Sequence, residues 1–170
     1  MFPTRIDIPF GVLRLRPESD DDAAFRFALF CQSRPDWALL PLCGEALAIL
    51  LQQQFRAQTA GYRAEWPGAS CDIIELDGEP IGRLVVDRPG DALHLIDIAL
   101  LPACRNRGIG SAILGRLSAE ARAARLPLRL EVATSNVAAL RLYRRLGFVA
   151  RASTELQIQL EWRGETERAP

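Results

Sequence analysis

The passage from residue 93 to 133 constrains the fold more tightly than any other part of the chain. An apolar run, 93–101, leads into a loop of Arg and Gly and then a helical tract, 108–125, with Ile109, Ile113, Leu117 and Ala121 on one stripe; a second apolar run, 128–133, follows. The apolar period passes from strand to helix and back. Two strands joined through a helix lie parallel with a right-handed crossover, because a tight turn joins only antiparallel ones. Such a pair needs cover on both faces. A mixed sheet covered by helices, of the α/β (α+β) class, is the architecture this passage predicts.

The flanking segments add elements of both kinds. Leu13 and Leu15 alternate with Arg14 and Arg16 as a half-buried first strand, which Pro17 stops. Ser19 to Asp22 offers capping residues for a helix over 23–30, and a second helical tract covers 42–62, where Leu47, Leu50, Leu51 and Phe55 recur at helical spacing. The runs 71–76 and 81–87 flank Asp77-Gly78-Glu79-Pro80, a hairpin turn in which Gly supplies a positive φ. Residues 136–146 form a helix closed by Gly147, and 154–162 a last strand. With 170 residues, no repeat and no linker, one domain over 1–170 is expected.

Composition removes several function classes. Hydrophobic types make up 49% and charged types 25%, the balance of a folded globule rather than of a disordered tail or a fibre. Net charge is zero, so bulk attraction to nucleic acid or anionic lipid has no source, and neither is expected as a partner. No run of about 18 apolar residues spans a membrane, and the first residues lack a basic segment followed by an apolar core; a cytoplasmic location is expected. Cys31, Cys43, Cys71 and Cys104 are unevenly spaced, without a C-x-x-C pair and with one histidine in the chain, so no metal site is expected.

The charge is nonetheless clustered. Residues 1–101 hold 9 Arg against 15 acids, 102–151 hold 10 Arg against Glu120 and Glu131 alone, and 152–170 hold 2 Arg against 4 Glu. All basic residues are Arg, so anions meet guanidinium forks or backbone N–H groups, and no lysine nucleophile exists. Within the basic segment, Arg105-Asn106-Arg107-Gly108-Ile109-Gly110-Ser111 links a strand to a helix start. Outward N–H groups at a helix N-terminus, with glycines that admit close approach, cradle a phosphate or pyrophosphate. The spacing fits neither a P-loop nor a dinucleotide fingerprint. On glycines alone, a helix that begins with a flexible turn explains the pattern equally well.

A family resemblance adds to this reading. Arg105-Asn106-Arg107-Gly108-Ile109-Gly110, preceded by Leu100-Leu101-Pro102, resembles the R/Q-x-x-G-x-G/A loop and its preceding V-x-P in the GNAT superfamily of acyl-CoA N-acyltransferases. About thirty residues on, Asn136, Ala139, Leu142-Tyr143 and Leu146-Gly147-Phe148 resemble that family's N-x-x-A-x-x-L-Y-x-x-x-G-F pattern. The resemblance is strong over 92–150, extends to the first strand, and carries no shared signature over 18–70. It implies a GNAT-like fold: a twisted sheet of about six to seven strands with helices on both faces, splayed between the fourth and fifth strands. It implies acetyl-CoA as co-substrate, its pyrophosphate on backbone N–H groups of Arg105 to Ser111, its pantetheine arm along the main chain of Ile98, Leu100 and Leu101, and contacts from Asn136, Ala139 and Arg145.

The same resemblance assigns chemistry to two side chains. Tyr143 is a core aromatic on periodicity alone; in the family a Tyr here protonates the departing thiolate, as a phenol with pKa about 10 can. His94, eleven residues before Arg105, is either a structural histidine or the base that relieves the amine of its proton. Where the family often has a Glu, this chain has Ile96, and strand alternation turns Asp97 to the opposite face, which leaves His94 or ordered water as base. Asn136 is a helix cap, a contact to CoA, or both. Main-chain N–H near Leu100 would polarise the thioester oxygen. The expected activity is direct transfer of an acetyl group to a primary amine, on a small molecule or a protein N-terminus. A binding module for acyl-CoA without catalysis is the alternative, and a homodimer stays open.

Overall fold

The computed structural model describes residues 5–33 and 44–164. Its strands are β1 (Arg5–Ile8), β2 (Gly11–Pro17), β3 (Ser70–Leu76), β4 (Glu79–Asp87), β5 (Leu93–Leu100), β6 (Leu128–Ala133), β7 (Val149–Ser153) and β8 (Gln157–Trp162). Its helices are α1 (Ala23–Ser33), α2 (Gly44–Glu65), α3 (Ile109–Ala124) and α4 (Val137–Arg145). The strands follow the order β1-β2-β3-β4-β5-β6-β8-β7 in one mixed sheet. Eight strands exceed the six or seven expected. Arg5–Ile8, at four residues, is too short to declare a period, and the expected last strand proves to be the second arm of a hairpin whose first arm, β7, is exposed throughout and carries no apolar alternation.

The chain forms two compact units, one from Met1–Leu84 with Ile98–Arg105, the other from Val85–Asp97 with Asn106–Pro170. In the first, β1, β2 and β3 pair antiparallel, and Leu13, Ile73, Ile74 and Leu84 are fully buried with Leu29 of α1. The β3–β4 turn has positive φ at both Asp77 and Gly78, as a two-residue hairpin requires. Phe27 and Phe30 of α1 each stack 5.5 Å from Phe55 of α2. The rest of the apolar stripe of α2 stays half-buried, and no residue of that helix is fully buried.

The second unit holds the β-α-β passage. Leu93, His94 and Leu95 of β5 lie parallel to Leu128, Arg129 and Leu130 of β6, and the ladder between them ends there. β6 in turn pairs along its whole length with β8, and β8 with β7, which bulges at Arg151. The expected stripe Ile109, Ile113, Leu117 and Ala121 is the buried face of α3, joined by Leu114. At the end of α4, Gly147 takes φ 88° and the Phe148 N–H returns 3.0 Å to the Tyr143 carbonyl, a left-handed stop that only glycine adopts without strain.

Candidate functional site

Period-two alternation sorts the second unit's strands onto two faces. Leu93, Leu95, Leu128, Leu130, Val132, Leu160 and Trp162 alternate onto one face and are buried. Arg122 of α3 stacks over Trp162, and a Cβ at Gly147, just past α4, would meet the same indole at 3.6 Å. Asp97 shares that face by alternation, and its charge reaches Tyr143. His94 stands on the other face, in one cross-strand row with Arg129 and Glu161. The two side chains expected to carry catalysis therefore sit on opposite sides of the sheet. The parallel ladder ends at Leu95 and Leu130, although β6 runs on to Ala133.

Tyr143 is 7% exposed and packs on Phe148 with ring centroids 5.5 Å apart. Burial and, secondarily, the Asp97 carboxylate push its phenol up to about 12. At neutral pH it is a full proton donor. Alternation predicted the side of the strand on which Asp97 lies; what went unread is that this is the side of Tyr143, a signal available from the apolar Leu93 and Leu95 that share it.

The loop before α3 is open. Asn106, Arg107 and Gly108 are exposed, and both Asn106 (φ 59°) and Gly108 (φ 81°) are left-handed. Gly108 caps α3 without a side-chain hydrogen bond, the Ala112 N–H makes the first helical bond to the Gly108 carbonyl at 2.9 Å, and no acid stands in the first turn. Amides in such a turn face outward at the positive end of the helix dipole. Gly108 is demanded by its φ alone, since a Cβ there would meet nothing within 4 Å. Ile109 between the two glycines is buried and anchors the turn.

Helix α4 completes this corner. A Cβ at Gly110 would meet Leu142 at 3.6 Å, and Arg145 donates from Nη2 to Ser111 Oγ at 3.5 Å, so a guanidinium stands over the start of α3. Asn136 Oδ1 accepts from the Ala139 N–H at 3.2 Å, which is the cap reading of that residue and occupies the Ala139 amide.

In the first unit, Arg105 turns back on its own chain. Its Nε donates to the Leu100 carbonyl at 2.9 Å, its Nη2 to the Gln32 carbonyl at 3.3 Å, and its backbone N–H to the Pro102 carbonyl at 3.2 Å. Leu101 donates to the Ile81 carbonyl and accepts from Cys104, both at 2.9 Å, and Ile98 is half-buried. The Arg105 amide is thus already engaged, unlike the expectation that counted it in the cradle. Cys104 is buried, and burial raises the thiols of Cys31 and Cys71; Cys43 lies outside the described residues. No cluster of metal-ligating side chains occurs among the described residues.

The family model of the acetyltransferase (GNAT) family matches residues 42–148, more than half of the chain. The chain belongs to the GNAT acetyltransferase family. The match reaches back to residue 42, beyond the motifs legible in the sequence. Three solved structures share the GNAT fold with this chain. PaiA N-acetyltransferase from Thermoplasma acidophilum, solved in complex with coenzyme A, is 15% identical with a TM-score of 0.66, over 89% of this chain and 99% of that one. An acetyltransferase from Thermus thermophilus is 21% identical with a TM-score of 0.65, over 89% and 96%. The GNAT domain of S. lividans PAT is 18% identical with a TM-score of 0.64, over 96% and 99%.

Proposed function

We propose that this GNAT protein transfers an acetyl group from acetyl-CoA directly to an amine. The observation that carries the reading is the start of α3, capped by the exposed Gly108 without a side-chain hydrogen bond and flanked by Arg145, in the same unit as a buried phenol held protonated. The amides after Gly108 would take the pyrophosphate and Arg145 a neighbouring phosphate. Ile98, Leu100, Leu101, Arg105, Asn136 and Ala139 enter as contacts on the strength of the motifs. In the reaction the amine nitrogen bonds to the thioester carbon, the C–S bond breaks, and the sulfur takes the Tyr143 proton. The acceptor ammonium first gives one proton to His94 or to water, which leaves the neutral amine that attacks, and its nitrogen gives up a second once bonded to carbon; one of the two passes to solution. The other is balanced, through solution, by the proton that restores Tyr143, so the enzyme returns unchanged.

Calorimetry with acetyl-CoA, CoA and ATP, paired with a thiol-release screen over amines, tests this reading. The expected result is binding of acetyl-CoA and CoA that ATP does not match, and amine-dependent thiol release. Binding without release for any amine would leave only an acyl-CoA-binding module.

A further inference from the structure

The sheet face that carries His94 holds an arrangement the transfer chemistry does not use. Glu161, 6% exposed at its side chain, lies in register with Arg129 on one side and Val149 on the other. Three guanidiniums converge on its carboxylate: Arg129 Nε at 2.9 Å, Arg151 Nη1 at 2.5 Å and Arg163 Nε at 2.6 Å. Arg129 also reaches Asp91 at 3.4 Å. Three positive charges thus meet one buried carboxylate and one exposed one. Arg151 and Arg163 remain 49% and 63% exposed, and each commits a single nitrogen to Glu161. A guanidinium has five N–H donors in a rigid fork, so each of the two has donors beyond the one given to Glu161.

The same face carries the opposite sign one step along. Glu131, two residues from Arg129 on β6, is exposed and accepts from Gln159 Nε2 at 2.8 Å. It is the first residue of β6 past the end of the parallel ladder. Residues two apart on a strand are separated by about 6.6 Å, and neighbouring strands by about 4.8 Å. His94, a carboxylate and a cluster of guanidinium forks therefore share a strip only two or three strand spacings wide.

We infer that this strip, β6–β8–β7 beside His94, is the acceptor's recognition surface, and that the acceptor is an amine bearing an anionic group of its own. The ammonium end meets Glu131 and the anionic end meets the remaining donors of Arg151 and Arg163. A carboxylate or a phosphate offers the required oxygens, and both are bidentate partners for Arg. The inference rests on the acetyl-transfer reading and deepens it by naming the acceptor class.

The test is a ratio. Thiol release from acetyl-CoA is measured with α-, β- and γ-amino acids against their own carboxamides, and with aminoethyl phosphate against ethanolamine. An α-carboxamide is the less basic amine and reacts more readily unaided, so a preference for the acid must come from binding. The expected result is a kcat/KM at least about tenfold higher for the anionic member, carried by KM. A preference confined to the phosphate pair assigns the anion as phosphate, and one confined to the acids as carboxylate. In Arg151→Gln and Arg163→Gln the ratio should fall several-fold, while Arg151→Lys, which keeps the charge but not the fork, retains only part of it; a purely structural bridge to Glu161 would lower both members alike. A ratio near one in the unaltered protein, alongside good activity on neutral amines, overturns the inference and leaves the transfer reading intact. A preference that survives both Gln variants overturns it too. No thiol with any amine sinks the transfer reading, and the inference with it.

Discussion

Tyr143 shows how position decides what a residue type does. An aromatic on an amphipathic helix usually fills a core, and this one does, packed on Phe148. Burial that would be inert for a phenylalanine keeps a phenol protonated, because it disfavours phenolate, and Asp97 adds charge repulsion in the same direction. Tyr143→Phe preserves the packing and removes the proton. It is expected to lower kcat by about a hundredfold or more, with acetyl-CoA affinity unchanged by calorimetry. Equal loss of affinity and rate would mean a structural role. The tyrosine was legible through its place in a two-part motif; its partner Asp97 was not, because alternation tells which side of a strand a residue takes but not which helix covers that side.

At the scale of elements, glycines separate two kinds of constraint. Gly108 sits in open space with φ 81°, so Gly108→Ala meets no atom but strains the turn before α3. Gly82 on β4 has ordinary φ, yet a Cβ there would collide with the Ala99 carbonyl and crowd Leu100. Gly82→Ala should therefore cost about 2 kcal/mol or more of stability, since backbone must move to admit the methyl. Gly108→Ala should cost about 1 kcal/mol and lower CoA affinity several-fold. Urea denaturation and calorimetry on the two variants distinguish the patterns. The turn glycines could be read from sequence because turn chemistry is local. The need for Gly82 could not, because the atom it avoids is supplied by a strand many residues away.

For the molecule as a whole, zero net charge conceals arginine networks in both units. In the first, Arg16 bonds Asp22 at 2.7 Å and Glu75 at 2.7 Å, and Glu18 bridges Arg26 at 2.6 Å and Arg83 at 2.8 Å. The Arg16 guanidinium holds the Asp22 carboxyl well below its usual range. In the second, burial pushes Glu161 up, but hydrogen bonds from Arg163, Arg129 and Arg151 outweigh it and hold it at about 2. Both carboxyls are depressed on folding, so their contribution is complete above about pH 5 and is lost as pH falls through the folded values. With allowance for screening on the exposed arginines, Glu161 should account for about 1–2 kcal/mol lost between pH 6 and pH 3. Urea titrations across that range check it, and Glu161→Gln should flatten the decline. A stability independent of pH over the same interval would show that these bridges are screened to nothing.

What the sequence determined by itself was whatever depends on neighbours along the chain. The period of α3, the hairpin turn at Asp77-Gly78, the stop at Gly147 and the left-handed glycine before α3 all follow from a few consecutive residues, and all are present. The short β1, the exposed β7 and the partnership of Glu161 with three arginines were decided only in the tertiary structure. So was the division of Tyr143 and His94 between two faces. Strand register brings together residues that sequence keeps tens of positions apart, and a charge on a strand acquires its meaning from the row it lands in. No local pattern encodes that row, because hydrogen bonding between strands, rather than along them, sets it.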